Sequence, residues 1–258
     1  MAKIVAIINQ KGGVGKSTTS LALLAGLKDK GFKVLGLDLD AQGNLSDTAK
    51  GKKDVELSTY SLLTGQGQAA AIIQKTEAGD IIASSNALAG ADISITGVGK
   101  EYKLKEALQP VKRDYDYIII DTPPHLGILT VNALTACDSC IIPAEASIYS
   151  LSGIEELDQT IEVIKKYTNP GLKIEGILLT KYTPRTVVSR ELTSLTGELA
   201  KKLNTKLYDS KISNTVTVLE SQVARQTVFD YSPESQVAED YKNFLEEFLK
   251  DKKERITK

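Results

Sequence analysis

The sequence has only two cysteines in 258 residues, too few for a disulfide framework. It shows no charged-then-apolar leader and no apolar run of about 18 residues. The marks of export and of a membrane span are therefore missing, and a cytoplasmic location is expected. No charge sign dominates either: 32 Lys and Arg against 33 Asp and Glu leave a formal net charge of -1. A dedicated nucleic-acid binder usually carries a basic surplus, so any such contact must come from a local patch. Repeats, low-complexity tracts and obvious linkers are absent. No helix-turn-helix segment precedes the first apolar stretch, which starts at Lys3, and operator-type repression is not expected. The single histidine, His125, follows Pro123 and Pro124 without a second ligand beside it and reads as a turn or cap residue.

What is present suits one compact domain over residues 1–258, since a chain that is 41% hydrophobic and 25% charged can bury a sizeable core. Short apolar runs rich in β-branched residues recur at 3–9, 33–39, 117–121, 140–143 and 173–180 and read as buried strands. Helical stretches fall between them at 17–30, 126–136, 152–167 and 187–202, with a last one at 234–250 that sets Val237, Tyr241, Phe244, Leu245 and Phe248 at helical spacing. This alternation predicts an α/β fold: a doubly wound, mostly parallel sheet flanked by helices, with ligand at the carboxyl ends of its strands. Residues 50–100 show little periodicity.

The stretch "NQKGGVGKSTT", residues 9–19, sits where the first strand would pass into the first helix, the context a phosphate-binding loop requires. Gly12, Gly13 and Gly15, with Val14 between them, let backbone N–H groups approach phosphate oxygens, and the helix N-terminus adds a favourable dipole. Lys16 would neutralise the β- and γ-phosphates of ATP, Ser17 would ligate Mg²⁺, and Thr18 could reach the α-phosphate. Gln10 stands where a strict GxxxxGK[ST] pattern has its first glycine, yet the core "GGVGKS" carries every group the chemistry needs. A glycine-rich turn with chance residues is the plain alternative.

Three carboxylates stand at predicted strand ends. Asp121 closes "YIIID", a position from which a carboxylate holds Mg²⁺ or its water. Asp38 and Asp40 in "LDLDAQGN" are two residues apart and on an extended chain would share a face. Asp38 is assigned to the metal's outer shell and Asp40 to orienting the attacking water, the alternative being that one of them caps the next helix.

With "KGGVGKST", "DLDAQGN" and "DTPP" together, the chain resembles the ParA/Soj family of DNA-partition ATPases, within the deviant Walker A group of P-loop NTPases that includes MinD and the nitrogenase iron protein. The resemblance runs nearly end to end. It implies that Lys11 projects across a nucleotide-sandwich homodimer to the phosphates of the other subunit. It further implies non-specific DNA as a partner of the dimer and a ParB-like centromere-binding protein that stimulates hydrolysis, with a plasmid or chromosome region as cargo and the nucleoid as its place of work. Arg185, Arg190 and Arg225 are the DNA-contact candidates, with ordinary solvated arginines as the alternative. Thr217 stands where the family often has an arginine, and Ala41 where it usually has proline. The stretch 211–220 resembles the segment that contacts adenine.

Two relatives offer other functions. MinD ends in a basic amphipathic membrane helix, whereas here Glu239, Asp240, Glu246, Glu247 and Asp251 interleave with the apolar positions, a face that anionic lipid would repel; no membrane partner is expected. An iron-sulfur or other metabolic ATPase of the same fold would use Cys137 and Cys140, a CxxC pair. The alternative is that both are small buried hydrophobes.

Overall fold

The computed structural model describes residues 1–54, 56–184 and 187–256. Eight strands form one sheet: β1 (Lys3–Ile7), β2 (Val34–Asp38), β3 (Gln74–Lys75), β4 (Asp80–Ile82), β5 (Tyr117–Asp121), β6 (Ser139–Glu145), β7 (Lys173–Tyr182) and β8 (Leu207–Ser213). Their spatial order is β3-β4-β2-β5-β1-β6-β7-β8. Every neighbouring pair is parallel except β3 with β4. Six helices have seven or more residues among those described: α1 (Lys16–Asp29), α2 (Ile128–Ala136), α3 (Ile148–Tyr167), α4 (Val187–Lys202), α5 (Thr217–Val223) and α6 (Gln236–Ile256).

The period of two along each strand divides the core between the two faces of the sheet. Ile4, Ala6 and Ile8 of the first strand segment, with Ile118 and Ile120 of β5, join one apolar cluster together with Ala133 of α2 and Ile154, Leu157 and Ile161 of α3. Val5, Ile7, Tyr117 and Ile119 join the other, with Leu23, Leu24 and Leu27 of α1 and Val237, Tyr241, Phe244, Leu245 and Phe248 of α6. Helices therefore cover both faces, as the alternating sequence pattern predicts. Gly26 is where α1 and α6 come closest, since a methyl group added there would run into Leu245.

The five expected strands are all present, and three more were not anticipated: β3, β4 and β8. The helix expected from 152 begins at Ile148, because Ser147 caps it by accepting a hydrogen bond from the Ser150 N–H at 3.2 Å. Two of the acids on the last helix bond to the backbone of β8. Asp240 accepts from the Ser213 N–H at 2.8 Å, and Glu247 accepts from the N–H groups of Asp209 and Ser210 at 3.0 Å each. They fasten β8 to α6, and the apolar stripe between them is buried in the core. No helix among the described residues is long and apolar enough to cross a membrane.

Candidate functional site

β1 lies between β5 and β6, so the chain leaves it at the point where the strand order reverses and a crevice opens at the carboxyl ends of the strands. The glycine loop fills that position. Gly13 (φ 75°) and Gly15 (φ 82°) are left-handed, which side chains with a Cβ tolerate poorly. Gly15 is also the N-cap of α1 and offers no side-chain cap, leaving the first N–H groups of the helix open to an anion. Three side-chain contacts pin the loop. Asn9 donates from Nδ2 to the Pro143 carbonyl at 2.7 Å and accepts from the Lys11 N–H at 2.9 Å, while Thr180 Oγ1 donates to the Val14 carbonyl at 2.9 Å.

Lys16 is 7% exposed, and its Nζ donates to the Lys11 carbonyl at 3.1 Å. Burial pulls its pKa down, and the charges of Asp121 and Asp40 work against that. Asp121 is fully buried at the end of β5. Its Oδ1 accepts from Ser20 Oγ at 2.9 Å, and its Oδ2 has no hydrogen-bond partner. Burial, and next the charge of Asp38, push its pKa up. An orphaned carboxylate oxygen in a polar crevice suits a cation or its bound water. With the Ser17 hydroxyl at the start of α1, the donor set is all oxygen, and Mg²⁺ fits it.

Asp38 and Asp40 have different surroundings. Asp38 ends β2 and is fully buried. Its Oδ2 accepts from both the N–H (2.8 Å) and the Oγ (2.7 Å) of Ser46, and its Oδ1 accepts from the Asp40 N–H at 3.1 Å. Asp38 thus caps the short helix Asn44–Thr48, with Asp121 its register partner on β5. Asp40 lies beyond the strand, where alternation no longer governs direction, and it lines the crevice. The shared face expected for the two is not formed, because β2 stops between them.

The crevice has a volume of about 540 Å³. One wall is the loop with Lys16, Ser17, Thr18 and Asp40; the opposite wall runs through Ile212, Asn214, Thr215, Leu219, Gln222 and Tyr241. The two walls touch where Gln222 Nε2 donates to Thr18 Oγ1 at 3.3 Å. Thr215 Oγ1 is buried without a hydrogen-bond partner. The stretch 211–220 thus forms the wall facing the glycine loop.

Comparison with known proteins agrees with this geometry. Residues 2–174 match the AAA domain family. The chain is 41% identical to the sporulation initiation inhibitor protein Soj of Bacillus subtilis, over 96% of this chain and 98% of Soj, and 34% identical to the chromosome partitioning protein ParA of Myxococcus xanthus, over 97% and 89%. The chain belongs to the ParA/Soj family. Among solved structures, a plasmid partition protein of Borrelia burgdorferi bound to AMPPNP superposes with a TM-score of 0.82 at 25% identity, covering 97% of this chain and 100% of that one. A cobyrinic acid a,c-diamide synthase of Mycobacterium smegmatis superposes at 0.81 with 31% identity, covering 95% and 93%.

Against that family background, the remaining candidates fall as follows. Lys11 does not line the crevice; its side chain is 42% exposed, and its ammonium pairs with Glu145 Oε2 at 2.8 Å. Glu145 Oε1 also holds Lys181 at 3.2 Å. Arg190 on α4 and Arg225 just after α5 are exposed and away from the crevice, and Arg185 lies outside the described residues. Cys137 and Cys140 are buried free thiols. Burial raises the Cys137 thiol well above its ordinary value and pushes Cys140 up to about 12, so they act as small hydrophobes rather than as thiolate ligands. No group of three or more His, Cys, Asp or Glu that could hold a metal occurs among the described residues. His125 is an exposed neighbour of Asp92, Nε2 to Oδ2 3.9 Å.

Sequence reasoning missed Asn9, Ser46, Glu145, Thr180, Lys181 and Thr215. For Glu145, Thr180 and Lys181 a signal existed: all three stand at the carboxyl ends of apolar runs, on the edge where a parallel sheet binds its ligands.

Proposed function

We propose that the chain is a single-domain, Mg²⁺-dependent ATPase that dimerises on ATP, binds DNA without sequence preference as a dimer, and uses hydrolysis to position a plasmid or chromosome region. The observation that carries this is the divergence of the two loop lysines. Lys16 is buried and faces the crevice, whereas Lys11, five residues earlier, turns outward to the rim. One ammonium serves the chain's own phosphates; the other is available to a nucleotide held by a second copy. A pair of unit charges 4 Å apart is worth about 4 kcal/mol at an effective dielectric of 20, so such a contact favours both the dimer and the transition state.

In this reading the glycine loop and Lys16 hold the triphosphate, while Ser17 and Asp121 hold Mg²⁺, with Asp38 behind them. The metal's chemical contribution is to neutralise charge that builds on the phosphate oxygens. Asp40 orients the attacking water. Arg190 and Arg225, together with Arg185, would meet DNA phosphates, a salt-dependent contact, and a ParB-like protein would accelerate turnover. The partition names of relatives matched over nearly the whole chain support this reading. A small-molecule ligase of the same fold, suggested by the synthase neighbour, gives no role to a second lysine turned away from the crevice.

The test is binding to a random-sequence duplex with ATP, ADP or no nucleotide at two salt concentrations, for wild type and Lys11→Ala. The expected outcome is ATP-dependent binding by wild type, steeply weakened by salt, with Lys11→Ala still binding nucleotide but losing DNA binding and dimerisation. Binding indifferent to nucleotide at low salt would overturn the partition reading.

A further inference from the structure

We propose that Lys181 is a second cation for the chain's own nucleotide, entering the crevice from the β7 side to contact the polyphosphate opposite Lys16. The inference rests on the nucleotide reading above and adds a residue to it.

Four observations converge on this lysine. First, it lines the crevice, which Lys11 does not. Its Nζ lies 3.8 Å from where a Cβ on Gly13 would be, so the ammonium stands directly over the glycine loop.

Second, its backbone is unusual. Lys181 has φ 49°, the left-handed region that residues other than glycine, asparagine and aspartate seldom enter. Such conformations persist only where the surrounding structure enforces them, and they gather at functional sites. The enforcement is visible here: the preceding residue, Thr180, is locked onto the loop by its 2.9 Å bond to the Val14 carbonyl, and its methyl packs 3.7 Å from the position of a Gly15 Cβ. The bend therefore occurs one residue after a rigid anchor.

Third, Glu145 is the register partner of Thr180 across the β6 and β7 pair, and its carboxylate divides between two ammonium groups: Lys11 at 2.8 Å on the rim and Lys181 at 3.2 Å on the crevice side. The Glu145 pKa is lowered; burial works against this, and the two lysine partners outweigh it. The carboxylate holds Lys181 extended toward the loop before any ligand arrives, which reduces the entropy lost when a phosphate replaces it as partner.

Fourth, the charge balance leaves room for this cation. Among the described residues, Lys16 is the only other lysine of the crevice lining, and Asp40 lines it too, with Asp121 and Asp38 directly behind. A triphosphate brings about four further negative charges, of which Mg²⁺ offsets two.

The experiment compares wild type, Lys181→Met, Lys181→Arg and Glu145→Gln for binding of fluorescent ATP, ADP and adenosine with Mg²⁺ at two ionic strengths, alongside melting curves without nucleotide. Lys181→Met is expected to weaken ATP on the order of tenfold and ADP less, to leave adenosine unchanged and to lower the salt dependence, as loss of one charge-assisted contact would. Lys181→Arg should recover most of the affinity, and Glu145→Gln should retain it within a few-fold. The proposal is overturned if Lys181→Met binds ATP as tightly as wild type. It is equally overturned if Glu145→Gln matches Lys181→Met, or if both Lys181 variants fail together with a lowered melting temperature, because the lysine would then only complete an ion pair. A wild-type chain that binds no ATP would sink the nucleotide reading as a whole, whereas a normal wild type beside an unaffected Lys181→Met would sink this inference alone.

Discussion

The two walls of the crevice are built by opposite means. On the loop wall, charge is buried: Lys16, Asp38 and Asp121 are all under a tenth exposed and are held by strand ends, a glycine loop and the start of α1. The facing wall, from Ile212 to Gln222, carries no charge that enters the crevice and leaves apolar side chains in solvent, with Leu219 at 64% and Val216 at 72% exposure. Buried charge tolerates little displacement, because desolvation is repaid only by well-placed partners. Apolar contact with a flat ring tolerates much more. The loop wall should therefore govern chemistry and the facing wall only affinity, a division that four substitutions can break or sharpen.

The largest effect is expected from Asp40→Ala. The residue lines the crevice but holds none of the pinning contacts of the loop, so ATP should still bind within a few-fold, while hydrolysis falls by about 10²- to 10⁴-fold, as for loss of a positioned general base or water-orienting group. Single-turnover hydrolysis beside equilibrium ATP binding checks it. A parallel fall in both would place Asp40 in binding instead. Lys16→Ala comes next: removing the buried ammonium should weaken ATP by about 100-fold, some 2.7 kcal/mol, and abolish the rise in melting temperature that ATP gives the wild type. Retention of that rise would mean the loop backbone alone suffices.

The same division decides how much could be read from sequence. The loop was legible because phosphate chemistry admits few residue types, and glycine, lysine and serine at fixed spacing leave little freedom. Five of the parallel strands were legible as apolar runs, and Asp121 as the carboxylate that ends one. What escaped has a different physical character. β8, "LYDSKIS", is an edge strand with a mixed burial pattern, so it lacks both the continuous run and the strict alternation that mark a strand. The helices of residues 50–100 have six residues or fewer, too short to show a 3.6-residue period. The separate roles of Asp38 and Asp40 depend on where β2 stops and on Ser46 reaching back eight residues, a tertiary fact. Lys181 stands at the end of an apolar run, which marks the edge of the sheet it belongs to, but its pairing with Glu145 depends on the β6 and β7 register.

The facing wall is probed by Thr215→Val. Its hydroxyl is buried and unpaired in the free protein, a state that a polar group on the bound nucleoside would relieve. The expected loss is about three- to tenfold, equal for ATP and ADP and with kcat unchanged, the signature of uniform binding. Tighter binding in the valine variant, or a loss confined to ATP, would contradict the division.

The smallest effect tests how that wall is held. Glu247 on α6 accepts the N–H groups of Asp209 and Ser210 and lies 3.3 Å from Lys206. Its pKa is lowered from 4.5: burial acts to raise it, and the backbone bonds from Ser210 and Asp209, with Lys206 aiding, prevail. A carboxylate with a depressed folded pKa stabilises the fold above its unfolded value, and that contribution is lost as pH falls through the folded value. Glu247→Gln should therefore be less stable than wild type at pH 7 by under about 1 kcal/mol, given its partial exposure, and the two should converge as pH drops below 4.5. Because β8 leads directly into Asn214 and Thr215, the variant should also weaken ATP slightly at pH 7 without touching hydrolysis. A change in turnover instead would mean that the facing wall transmits to the loop wall, and that Gln222 on Thr18 is more than a point of contact.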